Sequence, residues 1–132
     1  MDAATREEGR RRAENRCEYC LLQQEYSRLA HHVEHIVAQQ HGGGDTLDNL
    51  ALACNRCNRH KGPNLTGIDQ ASGNVVRLFH PRRDQWTAHF SFRGARIEGV
   101  TPTGRATVQV LSMNASRRLE LRSRLLARGL LT

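Results

Sequence analysis

Two pairs of cysteines with the spacing C-x-x-C constrain the fold of this chain more than any other feature. The first pair is Cys17 and Cys20, and the second is Cys54 and Cys57. Each pair can form a tight turn that presents two thiolates to one point, so two pairs together can complete a tetrahedral zinc site. A thioredoxin-like redox motif would explain one pair but not both. We therefore expect one structural Zn²⁺, which fixes both ends of the segment between the pairs.

That segment and its flank carry the side chains that metal-dependent phosphodiester hydrolysis needs. Glu34 precedes His35, Asn49 lies 14 positions after His35, and Asn58 directly follows Cys57. Histidine suits the role of proton acceptor because its unperturbed pKa lies near neutrality. Carboxylate and amide oxygens suit Mg²⁺ or Mn²⁺. Taken singly, Asn49 would be a turn residue and Glu34 a solvated carboxylate, so the hypothesis depends on their joint spacing.

The charge of the chain favours an anionic polymer as its partner. Twenty Lys and Arg residues stand against 13 Asp and Glu, which gives a net charge of +7 and an isoelectric point of about 10.2. Most of the excess is arginine, whose planar fork binds two phosphate oxygens at once. A charge excess alone also fits a merely solvated face.

The chain shows neither an apolar leader nor a membrane-spanning stretch, so we expect a cytoplasmic protein with no membrane partner.

The hydrophobic pattern predicts an α+β fold. In the first part we expect a charged helix over 2–16 as a solvated or DNA-facing arm, a strand within 30–36, a return strand within 47–53 and a helix over 55–61. In the second part we expect a small antiparallel sheet of strands 75–79, 86–92, 96–100 and 106–111, then a helix over 114–128 capped by Asn114 or Ser116. We expect one domain over 1–132, with 17–61 as the zinc-clamped catalytic core and 65–132 as supporting structure.

A single sequence motif extends over residues 17–61. It comprises the two cysteine pairs, Glu34-His35-Ile36, Gly42-Gly43, Asp45, Asn49-Leu50, Asn58 and Lys61. This pattern resembles the HNH endonucleases of the ββα-metal class. The resemblance implies a DNA endonuclease that leaves a 5′ phosphate, with His35 as general base and with Glu34 and Asn58 as ligands of a catalytic Mg²⁺ or Mn²⁺. It also implies that Asn49 holds the loop behind His35 without touching the substrate.

Three further residues near this pattern are candidate substrate contacts, namely His32, His60 and Lys61. DNA is the expected partner, with a homodimer or a phage or defence protein as further possibilities. The main alternative is a zinc-ribbon module that binds nucleic acid and has no activity. That module would need the cysteines and arginines but not the combination of Glu34, His35, Asn49 and Asn58.

Overall fold

The computed structural model describes residues 1–131 and has the predicted α+β class, built from antiparallel hairpins and helices. The elements in chain order are α1 Ala3–Arg12, β1 His32–His35, β2 Leu50–Ala53, α2 Asn55–Lys61, β3 Thr66–Ile68, β4 Val75–Arg77, α3 Trp86–His89, β5 Phe90–Arg93, β6 Arg96–Gly99, α4 Pro102–Val110 and α5 Ser116–Ala127. Among the described residues, no helix is both long and apolar enough to cross a membrane.

The first hairpin and the helix after it hold the residues of interest. Strands β1 and β2 pair antiparallel, with Glu34 opposite Ala51 and His35 opposite Leu50. All four residues of β2 are buried because α1 and α2 both pack against this hairpin. Helix α2 follows at once, since Cys54 comes directly after β2 and caps the helix through its Sγ, which accepts a hydrogen bond from the Cys57 amide. The predicted helix over 55–61 is thus confirmed.

Helix α1 has a structural role that its charge pattern did not predict. The Arg12 guanidinium donates to the carbonyl oxygens of Leu47 and Leu50, at 2.8 and 2.7 Å. Gly9 is buried where α1 meets Val33 of the hairpin. The helix is mostly exposed, as its charge pattern predicts, but it is not a free arm, because α1 packs against the hairpin and fixes the turn before β2.

The second part of the chain differs from the predicted single sheet. Strands β3 and β4 form one two-stranded hairpin, and β5 and β6 form another. The predicted strand over 106–111 is wrong, because most of it lies in helix α4. The Thr101 hydroxyl caps this helix by accepting from the Gly104 amide, and Pro102 occupies its first turn. A Thr-Pro pair is a helix-start signal that outweighs the β-branched residues that follow.

The start of the predicted strand over 86–92 needs correction. Residues 86–89 form a helical turn, α3, and not a strand. From this turn the Trp86 Nε1 donates to the Tyr19 carbonyl oxygen at 2.8 Å.

The predicted role of Asn114 also needs correction, because Asn114 does not cap α5. Its side chain pairs with both the amide and the carbonyl of Ile97, at 2.9 and 2.8 Å, and thereby fixes β6 to the chain before α5.

The core joins the two parts of the chain. Tyr19 contacts Phe79 edge to face, with ring centroids 6.4 Å apart, and Phe79 contacts Phe90 in the same way at 5.2 Å. Trp86 stacks at a tilt between Phe90 and Phe92. With few aromatic residues in the chain, this one cluster concentrates most of them where the first cysteine turn meets the C-terminal hairpins.

Candidate functional site

The four cysteines form a buried cluster with the dimensions of a zinc site. Their sulfur atoms all lie within 4.8 Å of one another, and Cys20 Sγ is 3.7 Å from Cys54 Sγ. A tetrahedron with Zn–S bonds of about 2.3 Å has edges of roughly 3.8 Å, whereas a disulfide would need about 2.05 Å. In both pairs the amide of the second cysteine donates to the sulfur of the first at 3.4 Å. The cluster therefore fits one structural Zn²⁺.

The first cysteine turn reaches directly to Glu34. Tyr19, between Cys17 and Cys20, is buried, and its hydroxyl donates to Glu34 Oε1 at 2.5 Å. Burial raises the pKa of Tyr19 well above its usual value, with Glu34 acting in the same direction, so the hydroxyl remains a donor. The side chain of Tyr19 thus links the cysteine cluster to the carboxylate.

Lys61 holds the other oxygen of the same carboxylate. Its Nζ lies 3.6 Å from Glu34 Oε2 and donates to the Ile36 carbonyl oxygen at 2.8 Å. Lys61 is only 2% exposed and Glu34 is 8% exposed. Burial raises the pKa of Glu34, while Lys61 and Tyr19 oppose that shift by favouring the carboxylate form. These two partners give a nearly buried carboxylate the charge compensation that it needs.

An open groove of about 740 Å³ collects most of the predicted site residues. Glu34 and His35 enter it from the end of β1, and Asn58 enters it from α2; His32 also lines it. Neighbouring residues within a strand normally face opposite sides of the sheet. His35 is the last residue of β1, so its side chain can line the same groove as that of Glu34. Because each carboxylate oxygen has more than one lone pair, Glu34 can keep its partners and still act as a ligand. A carboxylate and an amide oxygen that line the same groove form a donor set that fits Mg²⁺ or Mn²⁺.

His35 has a carboxylate partner on the loop that follows β1. Its Nε2 lies 2.6 Å from Asp45 Oδ1, and this hydrogen bond lowers the pKa of Asp45. In that arrangement Nε2 is protonated and donates a hydrogen bond to Asp45. Nδ1 is then the ring nitrogen that can accept a proton.

Asn49 closes the loop that carries Asp45. Its Oδ1 accepts from the Val37 amide at 2.9 Å, and its Nδ2 donates to the carbonyl oxygens of Val37 and Gly44 at 3.0 and 2.8 Å. All of these side-chain hydrogen bonds are to backbone atoms, and Asn49 does not line the groove. Gly43 lies so close to this network that an added Cβ would be 1.7 Å from the Val37 carbonyl oxygen and 2.8 Å from Asn49 Nδ2.

A family model described as HNH endonuclease matches residues 17–64. This segment of the chain is an HNH domain. Comparison with curated proteins gave no match to the chain, nor did comparison with solved structures. The HNH segment runs from the first cysteine to just beyond α2, so it contains the zinc cluster, the first hairpin and every residue of the groove.

The remaining predicted residues lie at different distances from the HNH groove. His32 is exposed and lines it. His60 does not line it, and its Nε2 contacts Arg56 at 3.2 Å on the outer side of α2. Lys61 points inward to Glu34 instead of outward to solvent. Sequence reasoning did not assign roles to Tyr19 or Asp45. The available signal for Tyr19 was its position inside the first C-x-x-C turn.

Proposed function

We propose that this protein is a metal-dependent DNA endonuclease that hydrolyses phosphodiester bonds in the groove between β1 and α2. The family match supports a nuclease, and the high positive charge supports a nucleic-acid substrate. The observation that carries the proposal is the convergence of Glu34, His35 and Asn58 on one open groove beside the cysteine cluster.

In this proposal His35 is the general base. Asp45 accepts a hydrogen bond from the Nε2–H group and holds the ring, so that Nδ1 removes a proton from the attacking water. Asn49 fixes the loop on which Asp45 lies and makes no contact with the substrate. Tyr19 and Lys61 hold the Glu34 carboxylate in its buried position.

Glu34 and Asn58 would hold the catalytic cation, with Mg²⁺ or Mn²⁺ as the candidates. Such a cation would bind the scissile phosphate and neutralise charge on the leaving 3′ oxygen. His32, at the edge of the groove, is the remaining candidate for a phosphate contact. Cys17, Cys20, Cys54 and Cys57 hold the structural Zn²⁺ away from the reaction.

A plasmid-relaxation assay tests the proposal. Zinc-loaded wild-type protein should cleave supercoiled DNA when Mg²⁺ or Mn²⁺ is added and should be inactive without it. His35→Ala should reduce the rate about 100-fold to 10,000-fold, the usual range for loss of a general base. Asn58→Ala should also lose activity, while both variants keep their zinc content and DNA affinity.

The outcomes separate this function from the zinc-ribbon alternative. Wild-type protein that binds DNA but never cleaves it with either cation would favour the non-catalytic module. Cleavage that survives in purified His35→Ala would assign the base elsewhere, with His32 as the first residue to examine. An RNA substrate run in parallel distinguishes a DNA nuclease from an RNA-directed one.

A further inference from the structure

A second groove borders helix α2 and is lined by basic side chains. It has a volume of about 370 Å³, and no acidic residue contributes to its lining. We call it the arginine groove, and its arginines are Arg28 before β1, Arg56 and Arg59 on α2, and Arg117 and Arg118 on α5. Five positive charges therefore converge on one concave surface of a chain whose net charge is +7.

These arginines differ from many others in the described chain because they have no acidic partners. Arg11, Arg77, Arg82, Arg93 and Arg105 each lie within ion-pair distance of a carboxylate. Within residues 1–131, none of the five groove arginines forms such a pair. Like charges that converge without a counter-charge repel one another, so the arrangement costs stability unless an anion binds there.

The arginine groove adjoins the HNH groove at one residue. Arg59 lines both of them, and its neighbour Asn58 lies in the HNH groove. A polyanion whose phosphate lies beside Asn58 would therefore pass over Arg59 to reach Arg28 and Arg117. Because one side chain borders both grooves, neighbouring phosphates of one strand could lie in the two grooves at once.

Not every arginine in the groove is equally free to bind a ligand. Arg118 Nη2 lies 3.7 Å from Cys54 Sγ, so Arg118 also supports the zinc cluster, and Arg56 contacts His60. Arg28 and Arg117 are exposed, and neither donates a side-chain hydrogen bond within the described part of the chain. These two residues are therefore the clearest probes of ligand binding.

We infer that the arginine groove binds the phosphate backbone of duplex DNA beside the cut site and so sets the affinity of the protein for its substrate without reading sequence. This inference deepens the proposed function and depends on it for the identity of the polyanion. Guanidinium groups bind phosphate oxygens in pairs, and groups that line a channel without base-reading contacts give binding that depends on salt but not on sequence.

The test measures DNA affinity by fluorescence anisotropy as a function of salt, in the His35→Ala background without added Mg²⁺ or Mn²⁺. The slope of log affinity against log salt reports the number of phosphate contacts, at about 0.9 per contact. We expect Arg28→Gln with Arg117→Gln to reduce that slope by about 1.8 and each single substitution to reduce it by about 0.9. The loss should be the same for duplexes of unrelated sequence.

Two control variants make the result specific. Arg93→Gln with Arg96→Gln removes two charges from the β5–β6 turn, which lines neither groove, and should leave the slope unchanged. Arg28→Lys with Arg117→Lys keeps the charge and should restore the wild-type slope. Zinc content and Trp86 fluorescence verify that each variant is folded.

The possible failures are distinguishable. A wild-type slope in the Arg28 and Arg117 variants, or an equal loss in the Arg93 and Arg96 control, would overturn the inference even if the protein is a nuclease. A reduced slope in a protein that never cleaves DNA would support the groove and reject the proposed catalysis. Failure of the parent protein to bind duplex DNA would overturn the inference and point to a different acidic partner.

Discussion

At the scale of single residues, Glu34 shows how the zinc cluster and the groove are connected. A carboxylate that is 8% exposed needs partners that favour its charged form, and Tyr19 and Lys61 supply them. Tyr19 lies inside the first cysteine turn, so the zinc cluster fixes the position of its hydroxyl. A Zn²⁺ bound by the four cysteines would therefore also fix the position of the proposed catalytic ligand.

Tyr19→Phe tests this connection. We expect the variant to need a higher Mg²⁺ concentration for half-maximal cleavage and to lose about 10-fold to 100-fold in activity, the range typical for removal of a group that orients a metal ligand. Its zinc content should equal that of wild type. Tyr26→Phe is the matched control, because Tyr26 does not contact Glu34. An unchanged Mg²⁺ dependence in Tyr19→Phe would show that Lys61 and the backbone suffice to position Glu34.

Asp45 is the second residue whose role can be isolated. Because it accepts from His35 Nε2, Asp45→Asn should disturb the orientation of the ring without removing the base. We expect kcat to fall about 10-fold to 100-fold while KM for DNA changes little, by analogy with other partners of functional histidines. Asp48→Asn removes the same charge from the same loop and should retain full activity. Equal losses in both variants would mean that only the charge of the loop matters.

At the scale of elements, the loop between β1 and β2 leaves little space for side chains at one of its glycines. Its two ends are held by Asn49, and its backbone at Gly43 packs against the Val37 carbonyl with no room for a side chain. The neighbouring Gly44 has nothing within 4 Å of the position of a Cβ. Two adjacent glycines therefore have different structural requirements.

Gly43→Ala and Gly44→Ala form a matched pair of variants. Gly43→Ala should lower the free energy of unfolding by about 1–3 kcal/mol, the usual cost of overpacking, and should reduce cleavage because Asp45 moves with the loop. Gly44→Ala should resemble wild type in both respects. Urea denaturation and the plasmid assay measure the two effects. Equal stability of the two variants would mean that the loop relaxes around the added methyl group.

At the scale of the whole molecule, the first cysteine turn is attached to the C-terminal hairpins at several points. Trp86 donates to the Tyr19 carbonyl, Arg82 pairs with Glu18, and Phe79 contacts the Tyr19 ring. These contacts support our proposal that residues 1–132 fold as one domain, with the C-terminal part dependent on the zinc cluster.

Removal of zinc tests that dependence. Trp86 is the only tryptophan in the chain and lies in the C-terminal part, so its fluorescence reports on a region without metal ligands. Under reducing conditions, a strong zinc chelator should change Trp86 emission and abolish the near-ultraviolet circular dichroism in a single transition. Cys54→Ser should show the same loss without chelator. Trp86 emission that survives zinc release would show that the C-terminal part folds by itself.

The sequence by itself determined the local chemistry. Both cysteine pairs, the helix after the second pair and the return strand follow from spacing and capping rules that act over a few residues. The joint spacing of Glu34, His35, Asn49 and Asn58, together with the resemblance to HNH endonucleases, made them candidates, and three of the four line one groove. Helix α4 was within reach as well, since its Thr-Pro start is a local signal that the β-branched residues obscured.

The tertiary structure decided what depends on distant parts of the chain. The partners of Glu34 come from positions 19 and 61, and the direction of Lys61 depends on the burial that both hairpin and helix create. The division of the arginines into paired and unpaired sets is of the same kind, because Arg28, Arg59 and Arg117 lie far apart in the sequence and line one groove only in the folded chain. Side-chain periodicity predicts which face is buried, but only the packed chain determines which charges lie side by side.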